Sequence, residues 1–393
     1  MTPFEIGIIG FVILIVLLFS NIPVGLAMGL VGFLGYAVIV NFNAALSMLA
    51  LTTWDIYSSY SLTVIPLFVL MGQIAFYTGI SKGLFKSAYV WFGHRTGGLA
   101  MATVAACAGF SAICGSTNAA AATMATVTLP EMKHYKYNIR LAAGTVAAAG
   151  SLGILIPPSV ILIIYGIMTQ QSIGKLFAAG IIPGIILSFL FILVIYVRVK
   201  INPSLAPAAE RSTFKEKIKS LSEVIETFVI FALIMGGLFA GFFTPTEAAA
   251  VGAFLTIIIS MFRKQVNFEI IKKSIADTAK ISCMIMTIVL GAEIFGKFLA
   301  VTRLPFDTAG WIATLNLPPI VIMILIIIIY IFGGCFMDSL AMIMLTVPIF
   351  FPVVQTLGFD PIWFGIMIVL VTEMGVITPP VGINVYIVHA VAK

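Results

Sequence analysis

The chain is written twice at one fixed offset. Pro23 recurs as Pro245, Pro130 as Pro352, Gly153 as Gly375, and the doublet Pro157-Pro158 as Pro379-Pro380, each 222 residues later. The run Leu-Gly-Ile-Leu-Ile-Pro-Pro at 152–158 returns as Met-Gly-Val-Ile-Thr-Pro-Pro at 374–380. Apolar residues make up 61% of the 393 positions and charged residues only 9%, against roughly 45–50% and about 25% in a soluble domain. Apolar runs approaching membrane length recur, as at Ile6–Phe19, Leu176–Val197 and Pro319–Phe332. The fold class expected is an all-α polytopic membrane protein. A repeat whose apolar segments are broken by Gly and Pro at matching places points to a secondary transporter, with its ligands bound at the breaks.

Composition excludes several other classes. The net charge of +6 comes from Lys and Arg in short loops, where they set membrane topology, so no nucleic-acid partner is expected. Cys107, Cys114, Cys283 and Cys335 lie in apolar segments and form no CxxC pair, and His94, His134 and His389 are scattered, so neither a disulfide framework nor a zinc site is indicated. HExxH, GxSxG and P-loop motifs are absent; no enzyme and no ATP consumption is expected. The first apolar run begins at Phe4 with no basic leader and reads as an uncleaved span.

The first copy, 1–197, is expected to hold spans at about 4–19, 22–40 and 62–79, a polar stretch with Trp54 and Asp55, and a basic loop with Lys82, Lys86, His94 and Arg95. An interrupted segment 98–132, a basic loop 133–140, a broken helix 141–169 and a span at about 175–197 follow. A charged linker, 198–223, joins it to the second copy, 224–393, with spans at about 224–241, 246–261 and 275–300, an interrupted segment 306–352 and a broken helix 361–390. The mate of span 175–197 would begin near residue 397, so that last helix is expected to be missing here. Both flanks of 98–132 are basic, whereas 304–392 contains no Lys or Arg. Cytoplasmic loops collect Lys and Arg. The two segments are therefore expected to be re-entrant hairpins on opposite faces, each copy crossing five times, in inverted orientation with the N-terminus outside.

Two kinds of break carry the expected chemistry. At the hairpin tips, Ser116, Thr117 and Asn118 after Gly115 align with Asp338, Ser339 and Leu340 after Gly333-Gly334. Unwound backbone at membrane depth persists only where protein or an aqueous cavity satisfies it. Its carbonyls suit a cation, and the returning helix N-terminus suits an anion. At the Pro doublets, a proline suits the first turn of a helix, so 141–156 and 158–169 are expected as half-helices, as are 361–378 and 380–390. The expected sodium ligands are Ser116, Thr117, Ser151, Gly153 and Ile156 in one copy, and Gly334, Asp338, Ser339, Thr372, Gly375 and Thr378 in the other. Substrate carboxylate is expected near Thr117, Asn118, Ser339, Pro158 and Pro380. An intramembrane carboxylate such as Asp338 is costly and marks a functional site by default. Glu373 is either functional or a partner for a buried donor. Glu293 and Lys297, four apart on one helix, are expected to neutralise each other. Small residues crowd the first hairpin at Ala119–Ala122 and Ala125, permitting close helix contact.

Gly115-Ser116-Thr117 with Leu129-Pro130-Glu131-Met132, the run from Gly150 to Ser159, Gly180-Ile181-Ile182-Pro183-Gly184, and Phe243-Thr244-Pro245-Thr246-Glu247-Ala248-Ala249 resemble the large membrane subunit of the tripartite ATP-independent periplasmic (TRAP) transporters over essentially the whole chain. The resemblance implies sodium-coupled import of an organic acid across the bacterial inner membrane. It implies an elevator in which hairpins and broken helices slide against a scaffold of the remaining spans, with sodium sites at the tips and broken helices. Its partners would be a small four-helix membrane subunit, not fused to this chain, and a periplasmic substrate-binding protein. A stand-alone sodium–carboxylate symporter and a passive channel or scaffold subunit are the alternatives. The substrate stays open among C4-dicarboxylates, sialic acids and related acids.

Overall fold

The computed structural model describes residues 1–392 apart from 21, 210, 315 and 316, and only the backbone of 312 and 313. Residue 210 of the expected linker and residues 315–316 of the expected second hairpin thus lie outside the described residues. The described chain is helical: α1 (Pro3–Phe19), α2 (Val24–Ile39), α3 (Phe42–Tyr57), α4 (Val64–Tyr77), α5 (Ile80–Phe92), α6 (Gly98–Cys114), α7 (Thr117–His134), α8 (Ile139–Gly150), α9 (Val160–Thr169), α10 (Ile173–Ile201), α11 (Phe214–Phe239), α12 (Pro245–Phe262), α13 (Phe268–Thr302), α14 (Leu304–Thr314), α15 (Pro319–Gly334), α16 (Ser339–Thr356), α17 (Pro361–Val376) and α18 (Ile383–Ala392). Helices α7 and α16 begin 222 residues apart, as do α8 and α17. Among the described residues, six helical segments are long and apolar enough to cross a membrane. By contrast α9 and α18, of 10 residues each, reach only about 15 Å, half the hydrocarbon thickness.

Two segments outside the expected spans are helical. The polar stretch with Trp54 and Asp55 is α3, and the basic loop after residue 80 is α5. Helix α5 is amphipathic: Ile80, Leu84 and Phe85 are buried while Lys82 and Lys86 face outward. It bridges α6 and α11. Its counterpart α14 precedes the second hairpin, which starts at Pro319 and not at 306. The unwound linker is also shorter than 198–223, because α10 runs to Ile201 and α11 starts at Phe214.

The helices sort into two groups. In the frame, α2 packs on α13 and α12 packs on α4, so each half supplies the partner of the other. Backbone meets backbone there. A Cβ on Gly32 would stand 2.7 Å from the Phe295 nitrogen, and one on Gly291 would collide with the Gly25 carbonyl. The second group holds the hairpins α6–α7 and α15–α16 and the broken helices α8–α9 and α17–α18. It too is interleaved: α9 lies on α16 and α17, while α18 lies on α7 and α8. Helix α10 packs on α6, α8, α9 and α17. The linker closes one end. Ala209 donates to the Gly93 carbonyl at 2.9 Å, Gly97 to Ala206 at 3.0 Å, and Asn138 to Leu205 at 2.8 Å. Linker and both basic loops therefore meet on the same face.

Candidate functional site: the paired hairpin tips

Each tip is a helix end followed at once by a capped helix start. Gly115 closes α6 at φ +63°, a conformation glycine adopts without strain. Ser116 then caps α7, its hydroxyl accepting from the Ala119 nitrogen at 3.4 Å. The Gly115 carbonyl accepts from the Val160 nitrogen at 3.5 Å, which sets the tip against the start of α9. A Cβ on Gly153 would approach the Ser116 carbonyl to 2.6 Å, so only glycine lets the first broken helix close on the tip. In the second copy Asp338 caps α16, accepting from the Leu340 nitrogen at 3.1 Å. Gly334 rests against the Thr372 carbonyl and Gly375 of α17.

The tips face each other. Asn118 directs its Nδ2 at Asp338 Oδ1, 3.5 Å away, and Ser339 donates to Glu373 Oε1 at 2.7 Å. A cavity of about 660 Å³, counting its open mouth, lies at this junction. Residues 115–119, Val160, Ile161 and 338–340 form one side; Val69, Gly72 and Gln73 of α4 and Ile281, Met284 and Ile285 of α13 form the other. The N-termini of α7, α9 and α16 all line it. Three oxygens at this junction are buried without a hydrogen-bond partner: Thr117 Oγ1 and Asn118 Oδ1 on the cavity lining, and Glu373 Oε2 behind Ser339. Unpaired buried acceptors are expensive, and such oxygens are the donors a hard cation takes.

The structure thus brings Ser116, Thr117, Asn118, Asp338 and Ser339 to one cavity, with Gly153 and Pro158 directly behind the first tip and Gly334, Thr372 and Gly375 behind the second. The other expected residues lie elsewhere. Thr378 and Pro380 are exposed, and the Thr378 hydroxyl donates back to the Met374 carbonyl. Ile156 packs on Gly184 of α10 and does not line the cavity. Ser151 donates to the Ala148 carbonyl at 2.7 Å. Neither Pro158 nor Pro380 begins a helix, since α9 starts at Val160 behind the cap Ser159 and α18 at Ile383. The breaks differ because α10 covers the first, with Gly180 against the Leu155 carbonyl, and no described helix covers the second in that way. Lys297 donates to Thr52 at 2.8 Å and makes no ion pair with Glu293 among the described residues. Gln73 and Asn384 escaped the sequence reading. Asn384 is fully buried and donates to the Ala147 carbonyl at 3.3 Å. Its polar side chain in the short α18 was the available signal.

Residues 11–393 match the family described as tripartite ATP-independent periplasmic transporter, DctM component. The chain belongs to this family. It is 36% identical over 344 residues to the C4-dicarboxylate TRAP transporter large permease protein DctM of Pseudomonas aeruginosa, covering 87% of this chain and 80% of that protein. It is 35% identical over 381 residues to the sialic acid TRAP transporter large permease protein SiaM of Vibrio cholerae, covering 95% and 87%. Its fold is similar to the crystal structure of the YdaH transporter of Alcanivorax borkumensis, with a TM-score of 0.65, 13% identity and coverage of 90% of this chain and 82% of that one. This TRAP permease is a multi-pass membrane protein and a transport subunit, not an enzyme.

Proposed function

We propose that this TRAP permease imports a small organic acid with sodium across the bacterial inner membrane, by an elevator motion of the hairpin group against the frame. The observation that carries the reading is the tip cavity, where three helix N-termini meet Asp338 and unpaired buried oxygens at the boundary between the two helix groups, with Glu373 bonded behind Ser339. The N-termini favour a carboxylate. The oxygens of Thr117, Asn118, Asp338 and Glu373 fit a hard cation, and the cation offsets the cost of two carboxylates at membrane depth. The substrate class follows the relatives, whose names give C4-dicarboxylates and sialic acid. The two copies are read as inverted repeats, so that the hairpins enter from opposite faces of the bilayer and their tips meet between them. We place α10 with the moving group, because its neighbours are hairpin and broken-helix elements.

A periplasmic binding protein and a small membrane subunit are the proposed partners. A fused permease, the isethionate protein DctMQ of Oleidesulfovibrio alaskensis, is 32% identical, and the match covers 96% of this chain but only 59% of that protein. The test is uptake into vesicles holding the permease with its small subunit. With an inward sodium gradient and binding protein, substrate should accumulate; without either it should fall to background. Full uptake on a proton gradient alone would remove the sodium assignment. Equal uptake without binding protein would make the chain a stand-alone symporter.

A further inference from the structure

A second cavity lies away from the tips, between α8 and α10 near the face closed by the linker. It measures about 1060 Å³ counting its open mouth. Leu141, Gly144 and Ala148 form one wall, and Phe191, Val194 and Ile195 form the other. The arginines Arg140 and Arg198 end those same helix faces, four residues before Gly144 and three after Ile195. Apart from Thr145 the groove is therefore apolar along its length, and it is cationic at one end, where Asn138 also lines it. Among the described residues the ion pairs engage Arg263, Lys273 and Lys280, so neither arginine of the groove is neutralised by an acid. Arg140 stands in the first turn of α8, where a helix dipole disfavours a cation and favours an anion. A Cβ on Gly144 would meet nothing within 4 Å, so the groove stays open at its middle. Val194 is 62% exposed on a helix that crosses the membrane, so the opening is reached from the bilayer.

We infer that this groove holds one anionic phospholipid, its phosphate between Arg140 and Arg198 and an acyl chain along Gly144, Ala148, Phe191 and Val194. A phosphate diester supplies the missing negative charge, and only a lipid also fills the apolar length beyond it. Basic pockets between membrane helices recognise anionic headgroups by this combination. The lipid then ties the first half of the broken helix to α10 at the linker face. That this face meets the anionic cytoplasmic leaflet rests on the topology proposed above; the binding site itself does not.

The experiment is a lipid titration of the purified permease in detergent, read by native mass spectrometry. Dioleoyl phosphatidylglycerol, dioleoyl phosphatidylethanolamine and inorganic phosphate are the probes. The wild-type chain should take up one phosphatidylglycerol in preference to phosphatidylethanolamine. The Arg140→Gln/Arg198→Gln variant should bind it about 30-fold more weakly. Gly144→Leu keeps both arginines, suits a helix better than glycine and fills the groove; it should lose the same lipid. Unchanged phosphatidylglycerol binding in either variant overturns the proposal, as does equal binding of phosphatidylethanolamine. Displacement of the lipid by an equal concentration of inorganic phosphate would reduce the site to a free-anion site. The measurement needs no sodium, substrate or sidedness, so its failure is separate from any failure of the transport reading.

Discussion

Asp338 does two jobs with one carboxylate: it caps α16 through the Leu340 nitrogen and faces Asn118 across the gap between the tips. A carboxylate at the centre of a membrane helix costs on the order of 2.5–3.5 kcal/mol on insertion scales. Asparagine caps a helix about as well as aspartate, so Asp338→Asn removes charge and keeps the cap. We expect the sodium concentration for half-maximal uptake to rise at least about tenfold, equivalent to about 1.4 kcal/mol, with an unaltered melting temperature. Ser116→Ala should shift it less, because the Ser116 hydroxyl makes only a 3.4 Å cap bond. Unaltered sodium dependence in Asp338→Asn would make the carboxylate purely structural. Asp338 and Ser116 were legible in the sequence because the repeat offset aligns them at a Gly-rich break. The bond from Ser339 to Glu373 was not, because its partners sit on different helices and only the fold brings them together. A single glutamine in an apolar helix, Gln73, gives no sequence sign of lining a cavity.

Helices in this protein meet at two kinds of contact, and glycine marks both. On α4, a Cβ at Gly72 would stand 2.9 Å from the Cys114 carbonyl at the end of α6, so the first tip rests on the frame there. Between α2 and α13 the Gly25 carbonyl leaves no space for a Cβ on Gly291. Forced overpacking costs typically about 1–3 kcal/mol. If the first contact slides and the second is fixed, substitutions should separate. Gly72→Val should cut uptake below about a tenth of wild type, the equivalent of about 1.4 kcal/mol at the barrier, while the protein purifies and melts normally. Wild-type uptake in Gly72→Val would show that the tip does not move across α4. Gly291→Val should instead lower the melting temperature in detergent, reflecting at least that 1–3 kcal/mol; an unshifted melt would contradict the backbone contact. The long apolar helices were legible from hydropathy, and the hairpins from matched breaks. The amphipathic α5 was hidden because Lys82 and Lys86 read as loop charge until Ile80, Leu84 and Phe85 are seen to bury one face.

Over the whole molecule the two copies are joined by the linker, by the crossed pairs of the frame and by exchange of their short helices. The linker's hydrogen bonds to Gly93, Gly97 and Asn138 collect the basic segments on one face, consistent with the charge asymmetry from which orientation was read. Single cysteines at Lys136 and Asp360 should therefore react oppositely with an impermeant maleimide added to whole cells: Asp360 labelled, Lys136 protected. The reverse pattern would undo the inverted arrangement. The exchange of α9 and α18 between copies was not legible, because the repeat reveals equivalent segments but not which copy each one packs against. That exchange sets a schedule for biogenesis. Asn384 of α18 bonds to Ala147 of α8, 237 positions earlier in the chain. At about 5–20 residues added per second, α7 and α8 wait roughly 10–50 s for the helix that covers them. During that interval the first hairpin presents an uncovered face, and whatever shields it from the insertion machinery onward must leave before α18 can arrive.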